Sequence, residues 1–219
     1  MTKAVLFDVE TTGIPNWKLA ADAQGQPRMC SMAAALLTDT GEIIEKFHHL
    51  IKPEGWEEEV IAKAEAEGGA FGVNGLSMKK LNAEGIPVVE VLTKFDALVD
   101  QCEGIGAFGI SFDQKMARSE QRRAGRPDRY GERPTFCVMK AATDVCKIPP
   151  TDKMMAAGKR WFKQPNLGEA VRHMLGRDLP DAHDALADLM ATVEIFAMMA
   201  AMPGVVVWKE QVSKLGDKE

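Results

Sequence analysis

Lys3-Ala4-Val5-Leu6-Phe7-Asp8-Val9-Glu10-Thr11-Thr12-Gly13 is the stretch that decides how this chain is read. Ala4 to Phe7 is apolar without interruption, and Gly13 follows as a breaker, so Lys3–Val9 predicts a buried strand. Side chains alternate across a strand, which puts Asp8 and Glu10 on one face at its end. Two carboxylates so placed repel each other unless something positive sits between them. A hard divalent cation does this, and Mg²⁺ commonly takes one or two carboxylates plus substrate phosphate. Taken in isolation, the pair reads more simply as a strand end opening into solvent with two harmless charges.

Outward from this strand, residues 14–27 hold two prolines, a glycine and Trp17 and read as a long loop. Met29–Thr38 is apolar and predicts a second strand. Asp39-Thr40-Gly41-Glu42 is a hairpin turn, and 43–51 is a third strand antiparallel to the second. Helices are expected over 57–67, over 78–83 with Ser77 as cap, and from Pro87, where Val88, Val91, Leu92, Phe95, Leu98 and Val99 share helical spacing. A short strand at 105–108 leads into a helix over 112–124. A strand within 133–138, a helix over 139–146 and a basic loop over 147–165 follow. Asn166 caps a helix over 167–175 that Gly176 ends. The longest helix, rich in Ala and Met, is expected over 182–202, and Pro203 breaks it. The order predicts one domain, 1–203, with a mixed sheet and helices packed on it, and a short tail over 204–219.

The chain has 219 residues, enough to bury a core without disulfide or structural metal. Hydrophobic residues make up 46% and charged residues 27%, and no apolar run is long enough to cross a bilayer. With no signal-peptide layout at the N-terminus and Cys30, Cys102, Cys137 and Cys146 in no metal-binding spacing, a reducing, cytoplasmic setting is expected. The net charge of −5 is unfavourable for binding phosphates. Carboxylates that hold cations would reverse that sign locally.

Two further segments carry acids at informative places. Asp113, in Gly109-Ile110-Ser111-Phe112-Asp113, sits where a strand passes into a helix. In α/β sheets functional groups gather there, although an acid in a first helical turn also simply complements the helix dipole. The other segment is Asp181-Ala182-His183-Asp184-Ala185-Leu186-Ala187-Asp188. Ala185, Ala187 and Ala191 are small enough to let the long helix lie close to the sheet and bring Asp188 near the strand-end acids. In a regular helix His183 and Asp188 would stand about 140° apart, so His183 belongs at the entrance and Asp188 within. Asp181 and Asp184 read as cap or first-turn acids.

Asp8-x-Glu10-Thr11-Thr12-Gly13, then Phe112-Asp113, then His183-x-Ala185-x-x-Asp188, in this order, resemble the DEDDh (DnaQ-like) 3′→5′ exonucleases over roughly residues 3–200. The resemblance implies an RNase H-like α/β fold. Its mixed five-stranded sheet has the first three strands antiparallel and helices on both faces. It implies that Asp8, Glu10, Asp113 and Asp188 hold two Mg²⁺ or Mn²⁺ ions and that His183 is the general base for the attacking water. Thr11, Thr12 and Gly13 would lie under the terminal nucleotide, with Phe112 beside them. The pattern departs from the family at Phe108-Gly109, where His-Asn is frequent, and at Asn74, which stands where many proofreading relatives have histidine.

Nucleic-acid contacts have two sequence candidates. Arg118, Arg122, Arg123, Arg126, Arg129 and Arg133, diluted by Glu120, Asp128 and Glu132, read as a solvated face. Lys153, Lys159, Arg160 and Lys163 around Trp161 and Phe162 fit either a solvated loop or a stacking platform for a single strand. Trp17 is a candidate wedge at the terminal base. Met190, Met198, Met199 and Met202 read as adaptable core packing, with part of the stripe available to a partner. The implied activity is release of nucleoside 5′-monophosphates from single-stranded or frayed DNA 3′ ends. Action on RNA ends or short oligoribonucleotides is an alternative. An accessory role bound to a polymerase, or a homodimer, is a reading of another class.

Overall fold

The computed structural model describes residues 3–131, 133–179, 183–205 and 207. Along these run β1 (Lys3–Thr11), β2 (Met29–Thr38), β3 (Ile43–Leu50), α1 (Glu58–Glu65), α2 (Ala70–Asn74), α3 (Met78–Glu84) and α4 (Val88–Val99). Then come β4 (Gly104–Ala107), α5 (Ile110–Arg123), β5 (Thr135–Cys137), α6 (Val138–Cys146), α7 (Asp152–Ala156), α8 (Leu167–Leu175) and α9 (Ala185–Ala200).

The strands form one sheet in the order β3-β2-β1-β4-β5. The first three are antiparallel, while β4 runs parallel to both β1 and β5. This is the RNase H-like arrangement expected from the sequence. Alternation along β1 divides the core. Val5, Phe7 and Val9 pack with Val91, Leu92 and Phe95 of α4 and Met116 and Ala117 of α5. Ala4 and Leu6 pack with Ala170 and Val171 of α8 and Leu189, Val193 and Phe196 of α9. Helices therefore cover both faces, and each fully buried Leu or Phe stabilises the fold by roughly 1.5–3 kcal/mol. A third cluster, Trp56, Ala64, Phe71, Leu76 and Leu81 around Cys30, holds α1 to α3 at the start of β2.

The β2–β3 turn needs its glycine. Gly41 has φ +87, and a Cβ there would lie 2.6 Å from Ala197 Cβ. The turn is thus both left-handed and pressed against α9. That contact anchors the far end of the helix whose near end carries Asp188.

Several boundaries differ from the sequence reading. The long helix starts at Ala185, not 182, because Asp184 caps it: its Oδ1 accepts from Leu186 N at 3.1 Å and Ala187 N at 2.9 Å. Asp181 lies outside the described residues. α5 starts at Ile110, two residues early. α2 and α7 lie in segments read as loop; α7 is capped by Thr151, whose Oγ1 accepts from Met154 N at 3.2 Å. Of the methionines, Met199 is core, Met202 packs partly against it, and Met198 is exposed. In the segment read as a tail, Val205 and Val207 pack against the α8–α9 core.

The arginine stretch is not a solvated face. Arg118 and Arg122 pair with Asp128, Arg123 with Glu120, Arg126 with Asp96, and Arg129 and Arg133 with Asp100. Glu120 is 1% exposed and also takes both Nε (2.8 Å) and Nη2 (2.9 Å) of Arg28. Buried carboxylates require such partners. The stretch therefore fastens α5 to α4 and to the loop before β2.

Candidate active site

On β1, Asp8 and Glu10 continue the row of Ala4 and Leu6, the face on which α9 lies. Their β2 neighbours are Ala33 and Ser31, small enough to leave room above them. α9 brings Asp188 to this face in its first turn.

Asp113 arrives from the other layer. The parallel ladder between β1 and β4 ends at Leu6↔Gly106, so farther along β1 an in-plane N–H is free for another partner. Val9 N donates to Asp113 Oδ1 at 3.2 Å. An acid in the first turn of α5 thereby reaches around the strand end toward acids on the opposite face. Asp113 is 5% exposed, so this bond also satisfies a buried carboxylate.

His183 stands outside α9 with φ +72. Its backbone N–H donates to Asp188 Oδ2 at 3.2 Å. The left-handed residue explains how His183 and Asp188 become neighbours although regular helical geometry would separate them. One ligand atom each from Glu10, His183 and Asp188 lie within 4.8 Å of one another.

Burial and mutual repulsion act on all four acids. Burial first, then the charges of Asp113, Asp188 and Glu10, raises Asp8 well above the usual carboxylate range. Burial, with Asp188 next, raises Glu10 to about 7, partly offset by Asn74. Burial raises Asp113 to about 8 against the opposing Val9 N–H bond. Asp188 is raised mainly by burial. Such acids favour any cation that can replace their protons. One atom makes the same point geometrically: Asp188 Oδ1 is buried with no hydrogen-bond partner among the described residues. An all-oxygen donor set with an orphaned carboxylate oxygen suits a hard divalent ion, so the residues fit the implied metals.

These five residues line one cleft of about 1240 Å³, together with Thr11, Thr12, Gly13, Asn74 and Phe112. Phe108 and Gly109 also line it. The Thr11–Gly13 turn is pinned. Thr12 N donates to Arg28 O at 2.9 Å, Thr12 Oγ1 accepts from Arg28 N at 2.8 Å, and Asn74 Nδ2 donates to Thr11 O at 3.3 Å. Asn74 thus braces the motif backbone. Trp17 and Trp161 are not among the lining residues. Trp17 is exposed, with Lys115 Nζ 5.2 Å from its ring centre, while its neighbours Asn16 and Leu19 do line the cleft. Trp161 borders a separate hollow.

Sequence reasoning missed the opposite wall, built by Glu59, Val60 and Lys63 of α1 and by Ala70 and Val73 of α2. It also missed how the 14–27 loop is held. Gln26 is buried and its Nε2 donates to Asn16 O and Ala20 O, both at 2.9 Å. A polar residue between Gly25 and Pro27 offered only a weak signal for this.

The model of the RNase T exonuclease family matches residues 5–196. The chain belongs to this exonuclease family. Its site residues carry the DEDDh pattern. Among solved structures, the fold is similar to exonuclease I of E. coli. Its complex with a dT13 oligonucleotide superposes with a TM-score of 0.68 at 16% identity, over 92% of this chain and 41% of that one. A zinc-bound complex of the same protein with single-stranded DNA gives 0.68 at 17%, over 93% and 42%. This exonuclease family member thus spans about two fifths of the exonuclease I chain. No curated protein matches the sequence closely enough to count as a relative. Among the described residues, no helix is long and apolar enough to cross a membrane.

Proposed function

We propose that the chain is a metal-dependent 3′→5′ exonuclease that releases nucleoside 5′-monophosphates from single-stranded or frayed DNA ends. The observation that carries this reading is the convergence of Asp8, Glu10, Asp113, His183 and Asp188 in one cleft, with Asp188 Oδ1 buried and without a hydrogen-bond partner among the described residues. The single-stranded oligonucleotides seen with E. coli exonuclease I favour a single DNA strand as substrate.

Asp8, Glu10, Asp113 and Asp188 would hold two Mg²⁺ or Mn²⁺ ions. When bound, such ions supply the positive charge that activates water and stabilises the leaving 3′-oxygen in an in-line displacement. The protein's own groups do the rest. His183 would take the proton of the attacking water, the general-base role an imidazole most often fills. Its exposed place at the mouth of α9 lets the proton pass on to solvent. The pinned Thr11–Gly13 turn offers backbone groups at a fixed height beneath the terminal nucleotide. Phe112, at the N-terminal end of α5, offers an apolar contact.

The test uses single-stranded DNA and RNA labelled at either end, with Mg²⁺ or with EDTA. Stepwise loss from the DNA 3′ end only with metal is the expected result. Faster loss from RNA moves the assignment to an exoribonuclease. No degradation of either polymer overturns the enzymatic reading and leaves an accessory role beside a polymerase.

A further inference from the structure

Beyond the cleft, the chain carries a second feature suited to nucleic acid. Trp161 is 63% exposed and Phe162 42%, side by side in sequence after α7. They border a hollow of about 460 Å³ shared with Lys140, Thr143, Asp144, Arg160 and Gln164. We propose that this hollow is a second contact for the same single strand, where Trp161 stacks on a base several nucleotides upstream of the 3′ end held in the cleft. The inference rests on the cleft accepting 3′ ends.

Three observations carry it. The first is charge. Residues 140–163 contain six basic and two acidic side chains in a protein whose net charge is −5. Of the basic ones, Lys163 pairs with Glu169 and Lys140 is also engaged within the fold. The arginines of α5 and the turn after it, by contrast, are taken up in ion pairs with acids of the fold. Electropositive character next to exposed rings is what backbone contact plus base stacking requires.

The second is rigidity. An aromatic platform binds well when ordering it costs little. Lys159 N donates to Met154 O and Lys163 N to Ile148 O, both at 2.9 Å, and Arg160 Nη1 donates to Met155 O at 2.9 Å. These bonds hold the near side of Trp161 on the capped α7 turn and its far side on the segment between α6 and α7. Lys159 Nζ stands 5.9 Å from the ring centre, which turns a cation toward the same spot.

The third is continuity. Gln164 lines the hollow and Leu167 lines the cleft. They are three positions apart, so their Cα atoms are at most about 11 Å apart. A strand leaving the cleft over the α8 N-terminus reaches the hollow within a few nucleotides.

The experiment compares a 4-mer and a 16-mer of dT with the full chain and with Trp161→Ala. It measures kcat/KM in Mg²⁺ and equilibrium affinity by anisotropy in EDTA. Stacking strengths for single strands predict that the substitution lowers the 16-mer to 4-mer ratio of kcat/KM by about 5- to 100-fold. The change should fall in KM, with a matching loss of 16-mer affinity, and Trp161→Phe should restore much of it. An unchanged ratio and unchanged 16-mer affinity overturn the proposal. If the wild-type chain degrades neither oligonucleotide, the exonuclease reading fails. The anisotropy arm then still decides whether Trp161 binds a single strand.

Discussion

The backbone N–H of His183 donates to Asp188 Oδ2 at 3.2 Å, from a residue whose φ is +72. A non-glycine residue in this region costs on the order of 1–3 kcal/mol and persists only where its surroundings hold it. Here the strain sets an imidazole beside two acids while leaving it outside the helix.

The first prediction follows from that placement. If His183 takes the proton of water, His183→Ala lowers kcat by about 10²- to 10⁴-fold. Affinity for Mn²⁺, measured by calorimetry, stays within a few fold of wild type. Because one of its ring nitrogens lies within 4.8 Å of Glu10 and Asp188 oxygens, a ligand role is the competing outcome. A loss of Mn²⁺ affinity equal to that of Asp188→Ala would establish it.

Asp113→Asn keeps the Val9 bond, since the amide oxygen can accept where Oδ1 does. It removes one charge from a crowded group of acids. In EDTA at pH 8 the variant should melt several degrees above wild type, at about 2–4 °C per kcal/mol for a chain of this size. It should also lose activity and metal affinity. A lower melting temperature in EDTA would show that charge crowding does not strain this site.

The metal-free protein should grow less stable as pH rises. Glu10 and Asp113 titrate at about 7 and about 8 in the folded protein, against about 4 in an unfolded chain. Between those values the folded state binds more protons, so the stability these groups confer is complete below about pH 4 and lost by about pH 8. Thermal melts in EDTA across this range should show the decline. Saturating Mg²⁺ should flatten it, because the cation replaces the protons. A Mg²⁺ stabilisation no larger at pH 8 than at pH 5 would contradict the linkage.

How far the sequence told this in advance depended on range. β1 to β3 and their turn were legible because strand alternation and Asp39–Glu42 are local patterns. The five candidate residues could be singled out because they form an ordered set near element ends, and the fold brings them to one cleft. α2 and α7 were not, since five residues are too few to show a helical period. The start of α9 was misplaced because Asp181 and Asp184 are equally good caps on paper. Asp113 could be assigned to the site, but not its path past the end of β4, which depends on where a ladder stops. The arginines were misread because their acids come from α4 and its C-cap, 29 to 33 residues away, from a turn 6 to 10 residues away, or from their own helix.

Asp96 is the centre of one such cluster. Tyr130 Oη donates to its Oδ1 at 2.8 Å and Gln121 Nε2 at 3.3 Å, while Arg126 binds Oδ2. Asp96→Ala leaves a fully buried tyrosine hydroxyl and a guanidinium without their acceptor. Breaking a buried pair this way costs about 3–5 kcal/mol. A fall in melting temperature on the order of 10 °C is expected by calorimetry. A fall below 3 °C would mean water replaces the carboxylate there.

The paired arginines also limit how the protein could hold the single strand proposed as its substrate. A protein that grips a strand through many guanidinium–phosphate contacts releases counterions on binding, and its affinity collapses as electrolyte is added. Here the guanidinium groups of Arg118 to Arg133 already face acids of the same chain. Few phosphates are left for them to neutralise. The slope of log K against log salt should therefore be shallower than about −3 on a single strand, equivalent to about four phosphates. On the proposed reading, an enzyme built this way would depend on cations in its cleft and on stacking rather than on an ionic halo. It should keep working in salt that strips more basic nucleases from their substrates.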